Sequence, residues 1–269
     1  MKPIKNILWI ALLAFTCTAC EKVIDIKLAD STPRIVIEGE ITPLAGPYQV
    51  RVTESKNFSE NNTFPGRADA VVVIKDLTTT NQETLAYTAD GFYQTIAMQG
   101  VAGHAYQLTV TVGGKTYTAT STIPAVQVKL QRLTTKPFSL DADKIFMVPI
   151  FTDPVGKGNN YRIRQWINDI PVKGSYVRND DATDGRTYDS PAYYDTDEET
   201  GNPLIHNGDK ITAELQSIDK GVYDYFRTLN TTVDQNSSTP SNPLSNISGG
   251  ALGVFNACNP SKLSVIAKF

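Results

Sequence analysis

Histidine is nearly absent from the chain: His104 and His206 are the two in 269 residues, one in each half. A hydrolase triad needs a base within reach of a nucleophile, and neither a G-x-S-x-G segment nor an H-E-x-x-H pair is present. Neither histidine is assigned as a catalytic base, and no catalytic residue or cofactor is expected. Cysteine is equally scarce, limited to Cys17, Cys20 and Cys258. Cys17 sits in the amino-terminal leader and Cys20 directly after it at the expected lipidation point, so an internal disulfide framework is excluded, and Cys258 reads as a small buried hydrophobe. Long apolar runs are missing too, except for the nine positions Ile7 to Phe15. That is about half of the ~20 apolar residues a membrane-spanning helix needs.

Lys2 and Lys5, the apolar run, and the small polar set Thr16 to Ala19 together form the charged, greasy and cleavable pattern of a secretory signal, residues 1–19. A cysteine directly after a small residue at the end of such a run looks like a bacterial lipobox. Cys20 is then the lipidated position, and the acyl chains supply membrane affinity to an otherwise polar terminus. Cleavage after Ala19 by an ordinary signal peptidase is the rival reading. Residues 20–32 mix charged and small side chains up to Pro33 and read as a tether. Losing Lys2 and Lys5 leaves 23 of the 25 basic residues against 28 acidic ones, a formal net of −5. Nucleic acid is not an expected partner on that balance.

What remains is β-patterned. "RIVIEG" (34–39) and "YQVRVT" (48–53) alternate, whereas "ADAVVVIKD" (68–76) is apolar on both faces and reads as a strand covered on both sides. In "HAYQLTVTVGGKTYTATSTIP" (104–124), Tyr106, Leu108, Val110 and Val112 alternate inward, and Gly113 and Gly114 supply a two-residue turn. The expected fold is mainly β: an immunoglobulin-like or transthyretin-like sandwich over 33–125, then a second β-rich domain over 126–269. That second domain has strands at 144–151, 161–167, 210–218, 250–255 and 262–269, long polar loops at 174–209 and 231–249, and one short helix. Ser217 is the expected cap of that helix, with Val222, Tyr225, Phe226 and Leu229 at helical spacing.

"CEKVIDI" (20–26), "GKTYTATSTIP" (114–124), "RNDDATDG" (178–185), "GDKITAELQSIDKGVYDYFRTL" (208–229) and "NPLSNISGGALGVFNA" (242–257) resemble the Bacteroidota lipoproteins grouped as domain-of-unknown-function family 4249. The resemblance implies a lipid-anchored outer-membrane protein, partnering a TonB-dependent receptor of the SusC-like kind in nutrient capture. It transfers no catalytic residue; only the lipobox cysteine maps, onto Cys20.

Two constellations carry candidate chemistry. In "YRIRQWI", Tyr161, Ile163 and Ile167 share one face of a strand while Arg162, Arg164 and Trp166 share the other. Those three are the candidate ligand-binding residues, able to hold a carboxylate or lie against a sugar ring. The structural alternative is that Glu214 lies across the sheet and pairs with an arginine. The acidic loop, with Asp180, Asp181, Asp184, Asp189, Asp195, Asp197, Glu198 and Glu199, offers the hard oxygens that calcium prefers. Asp180, Asp181 and Asp184 are its weak calcium candidates, set against the plainer reading of a solvated loop. The functional expectation is a non-enzymatic accessory protein. The alternatives are an exported glycan or peptide hydrolase using loop carboxylates, or a purely adhesive surface module.

Overall fold

The structure, a computed structural model, describes residues 32–57, 63–194, 201–233 and 242–269. The signal, Cys20, most of the tether, and the acids from Asp195 to Glu199 lie outside them. The chain is mainly β, as its alternation predicts, with one helix among the described residues.

Eight strands come first: β1 (Ile35–Ile41), β2 (Gln49–Glu54), β3 (Val71–Asp76), β4 (Gln82–Thr84), β5 (Ala86–Tyr87), β6 (Phe92–Gln94), β7 (Ala105–Val112) and β8 (Lys115–Thr122). The next seven are β9 (Arg132–Phe138), β10 (Asp141–Thr152), β11 (Asn160–Ile167), β12 (Ile170–Pro171), β13 (Tyr176–Asn179), β14 (Thr187–Tyr188) and β15 (Lys210–Ile218). Helix α1 (Lys220–Val233), β16 (Leu252–Ala257) and β17 (Asn259–Ile266) complete the order.

The first sandwich packs a sheet of order β16-β1-β2-β6-β5 on one of order β4-β3-β7-β8. Its core includes Ile37, Val50, Val52, Val72, Ile74, Leu108 and Val110. The β7–β8 hairpin turns on Gly113 and Gly114, both at positive φ, as their position between two alternating runs predicts. β3 departs from expectation: it is central in its sheet, but Val71 is 54% exposed, so one apolar face meets solvent.

The second sandwich pairs a sheet of order β14-β10-β9 with one of order β12-β11-β15-β17, where β13 also lies on β11. Met147, Phe151, Tyr161, Ile163, Ile167, Ile211 and Leu215 are buried between them.

The division at residue 125 is crossed by the end of the chain. β16 leaves the second sandwich and lies parallel to β1, with Val36 opposite Leu252 and Ile41 opposite Ala257. Parallel strands need a long crossover, and here that crossover holds the rest of the first sandwich and all of the second except β17. Phe255 on β16 is fully buried in the first core. Asn246 closes the outer edge of β16: Phe255 N donates to its Oδ1 at 3.0 Å and its Nδ2 donates to Phe255 O at 2.8 Å. That side chain stands in for a neighbouring strand, which keeps the edge from recruiting one.

One buried residue, Cys258, separates β16 from β17, and its N–H donates to Ile41 O at 3.0 Å. Helix α1 packs Val222 and Phe226 against Ile218, Val254 and Cys258. Its cap is Asp219 rather than Ser217, which belongs to β15. Asp219 Oδ1 accepts Val222 N at 2.9 Å, and Oδ2 accepts Ser121 Oγ at 2.5 Å and Thr122 N at 2.9 Å. One carboxylate thus caps the helix and ties it to β8.

Gly253 sits at φ +100, and a Cβ there would overlap the Ile37 carbonyl, because β16 is pressed onto β1. Gly114, at φ +74, has nothing within 4 Å of that position. Gly253→Ala is expected to cost about 3 kcal/mol or more, and Gly114→Ala about 1–2 kcal/mol from backbone conformation alone. Denaturant unfolding of both variants measures the difference.

Candidate functional site

Alternation along β11 places Tyr161, Ile163 and Ile167 in the core and turns Arg162, Arg164 and Trp166 to the opposite face of the sheet. β15 runs beside it with Arg162 opposite Gln216, Arg164 opposite Glu214 and Trp166 opposite Thr212. β17 follows with Lys262 opposite Glu214. The three candidate residues therefore share one face, but their surroundings differ.

Arg162 is turned into the joint between helix and sheet. Its guanidinium carbon lies 3.8 Å from the Phe226 ring centre, its Nε donates to Ser175 Oγ at 3.0 Å, and one Nη donates to Gln216 at 3.4 Å. Burial, with Arg164 beside it acting in the same direction, pushes Arg162 down to about 10 against the opposing pull of Glu40 and Glu214. It is a structural cation that an exterior ligand would reach only by displacing Phe226.

Arg164 stands at the border between the sandwiches. Its Nη1 is 3.6 Å from Glu214 and 3.8 Å from Glu40, the latter contributed by β1. The arginine partner on Glu214 is the one the strand pairing predicts. Glu40 Oε2 accepts from Gln216 Nε2 and Asn256 Nδ2, each at 3.1 Å, while Asn256 Oδ1 has no hydrogen-bond partner although the residue is 2% exposed. Trp166 has the Arg164 guanidinium 5.0 Å and the Lys262 ammonium 4.3 Å from its ring. Glu40 and Lys262 were invisible as site residues in the sequence, because they arrive from β1 and β17 by pairings that no local pattern encodes.

The second constellation regroups. Asp153, Asp180 and Asp184 bring one carboxylate oxygen each within 4.8 Å of one another, and Asp181 falls outside, hydrogen-bonded to Asn179. Backbone N–H groups bind all three: Gly185 to Asp153 at 3.2 Å, Asn159 to Asp180 at 2.9 Å and Gly156 to Asp184 at 2.7 Å. The Tyr161 hydroxyl also donates to Asp153. Burial raises the proton affinity of Asp153, the Tyr161 and Gly185 hydrogen bonds oppose it, and Asp180 and Asp184 raise it further. The group offers three of the 6–8 oxygens calcium takes. In its own loops it fastens residues 153–159 to residues 180–185. Asp153 was missed because it stands 27 residues upstream of the acidic run, at the end of a buried strand.

The histidines stay apart. His104 Nδ1 lies 2.8 Å from Asp76 Oδ2 in the first sandwich, and His206 Nδ1 lies 3.4 Å from Asp209 Oδ2 in the second with its side chain 73% exposed. The Cys258 thiol is fully buried, and desolvation pushes its pKa well up.

A family model described as Domain of unknown function (DUF4249) matches residues 21–264. The chain belongs to this family. No curated protein matches it. The match runs from the residue after Cys20 into β17, so the DUF4249 unit includes both sandwiches and the strand that links them. Within it, "NPLSNISGGALGVFNA" is structural: it supplies Asn246, the close-packed Gly253 and the whole of β16.

Asp76 gives a pH test of the His104 pair. Burial alone would raise its pKa, but hydrogen bonds from His104, Thr78 and Thr79 outweigh that and hold it at about 2. A folded pKa below the unfolded value of 3.8 adds stability above pH 4 that is lost as pH falls toward 2. Asp76→Asn is therefore expected to remove on the order of 1–2 kcal/mol at pH 6 and much less at pH 2.5, read from unfolding curves at both pH values.

Proposed function

We propose that this DUF4249 chain is a lipid-anchored, non-catalytic accessory protein of the outer membrane, which partners a TonB-dependent receptor in nutrient capture. The observation that carries the reading is the junction at Cys20. The apolar run and small residues end there, and the family match starts at the next position, Glu21. A family match that begins immediately after a lipobox-like cysteine supports the reading of a tethered unit.

The fold supports this arrangement. No helix among the described residues is long and apolar enough to cross a membrane. The chain enters β1 at Ile35, and β1 runs toward the second sandwich, which attaches where Ile41 meets Cys258. The described chain thus enters at the end of β1 away from that joint, and Arg164 stands at the joint itself, beside Glu40. The engaged histidines and the sequestered Cys258 favour binding over catalysis. Among the described residues the hydrolase reading has the Asp153 group in its favour, and that group closes two loops.

Cys20→Ala is expected to move the protein from the membrane to the soluble fraction, with its unfolding temperature unchanged. Continued membrane association of that variant would remove the anchor. Purification of the tagged protein in mild detergent is expected to bring a TonB-dependent receptor in near-stoichiometric amount, identified by mass spectrometry. A protein that emerges alone would overturn the partnership.

A further inference from the structure

The outer face of the β12-β11-β15-β17 sheet carries two cations whose donors are unused. The Arg164 side chain makes no hydrogen bond among the described residues, although it is ion-paired at 3.6 Å with Glu214 and at 3.8 Å with Glu40. Lys262 is exposed and has no carboxylate within 4.0 Å among the described residues. Both converge on one indole, at 5.0 and 4.3 Å from Trp166. Glu40 and Glu214 temper the field of Arg164, whereas Lys262 has no such partner among the described residues, and the buried Arg162 adds a further positive charge that Glu40 and Glu214 both feel. Amide donors also draw on those carboxylates, with Gln216 bound to both at 3.1 and 2.9 Å.

We propose that Arg164 and Lys262, both beside Trp166, bind the carboxylate of an acidic saccharide. The inference deepens the nutrient-capture reading by naming the class of ligand. Guanidinium and ammonium groups with free donors beside an apolar ring match a carboxylate carried on a sugar, whose C–H face needs an aromatic neighbour. The sugar hydroxyls find a partner alongside in the exposed Ser264, whose Oγ lies 2.8 Å from Thr212 Oγ1. An acidic peptide would satisfy the cations but leave the indole and this hydroxyl partner unused.

Trp9 and Trp166 are the two tryptophans of the chain, so in the full-length Trp9→Phe protein all indole emission reports on this face. Trigalacturonate is expected to change that emission saturably, and a neutral galactose trimer to leave it unchanged. Arg164→Gln and Lys262→Gln should each weaken the response at least tenfold. Lys262 is exposed, so its variant tests the site even if Arg164→Gln disturbs the joint. An unchanged emission in protein with a wild-type unfolding temperature would overturn the proposal. So would an equal response to the neutral trimer, to inorganic phosphate or to an oligoglutamate. Anchoring and receptor co-purification are read separately, so a failure here stays distinguishable from a failure of the accessory role.

Discussion

The pairing of β1 with β16 is the contact on which the rest of the molecule depends. It joins the first strand of the fold to the next-to-last across more than 200 residues of intervening chain. Closing so long a loop costs entropy, though only logarithmically with length. The return is a row of backbone hydrogen bonds together with the burial of Phe255, Ala257 and Cys258. Gly253 is the steric condition for this approach, and Asn246 finishes the edge it creates. Because β17 follows after a single residue, the same pairing sets where the second sandwich stands.

Around that pairing, the joint between the sandwiches is polar as well as packed. Asp219 ties α1 to β8, Gln127 Nε2 donates to Pro260 O at 2.6 Å, and Asn259 Nδ2 donates to Pro124 O at 3.0 Å. Glu40 reaches from β1 to Gln216 and Arg164 on the second sheet. Directional bonds of this kind resist rotation in a way that apolar contact alone does not. The second sheet is therefore tied to the first by directional bonds, and the basic aromatic face of β11 borders that joint.

Local chemistry was legible in the sequence, and long-range pairing was not. The β7–β8 hairpin, the inward set Tyr161, Ile163 and Ile167, the burial of Cys258 and the Arg164–Glu214 neighbourhood all follow from period-two alternation and turn residues. Three features escaped for physical reasons. Residues 250–255 read as a strand, which the structure places at 252–257, but they carry no sign of which sheet receives them, since parallel pairing leaves no turn signature. Asp219 outcompeted Ser217 as the cap because β15 runs on through Ile218 and keeps Ser217 in the ladder. Asp153 replaced Asp181 in the acidic group because two loops distant in sequence meet at the end of β10. The apolar outer face of β3 misled in the other direction: Val71 meets solvent although its composition indicated a covered strand.

The late arrival of β16 also bears on quality control. A chain interrupted anywhere before residue 252 leaves the edge of β1 unpaired and the first core without Phe255, however complete the preceding strands are. Such a fragment resembles an open-edged, partly packed intermediate, the form most readily cleaved by proteases or lost to aggregation. The fold thereby acts as a check on its own completeness.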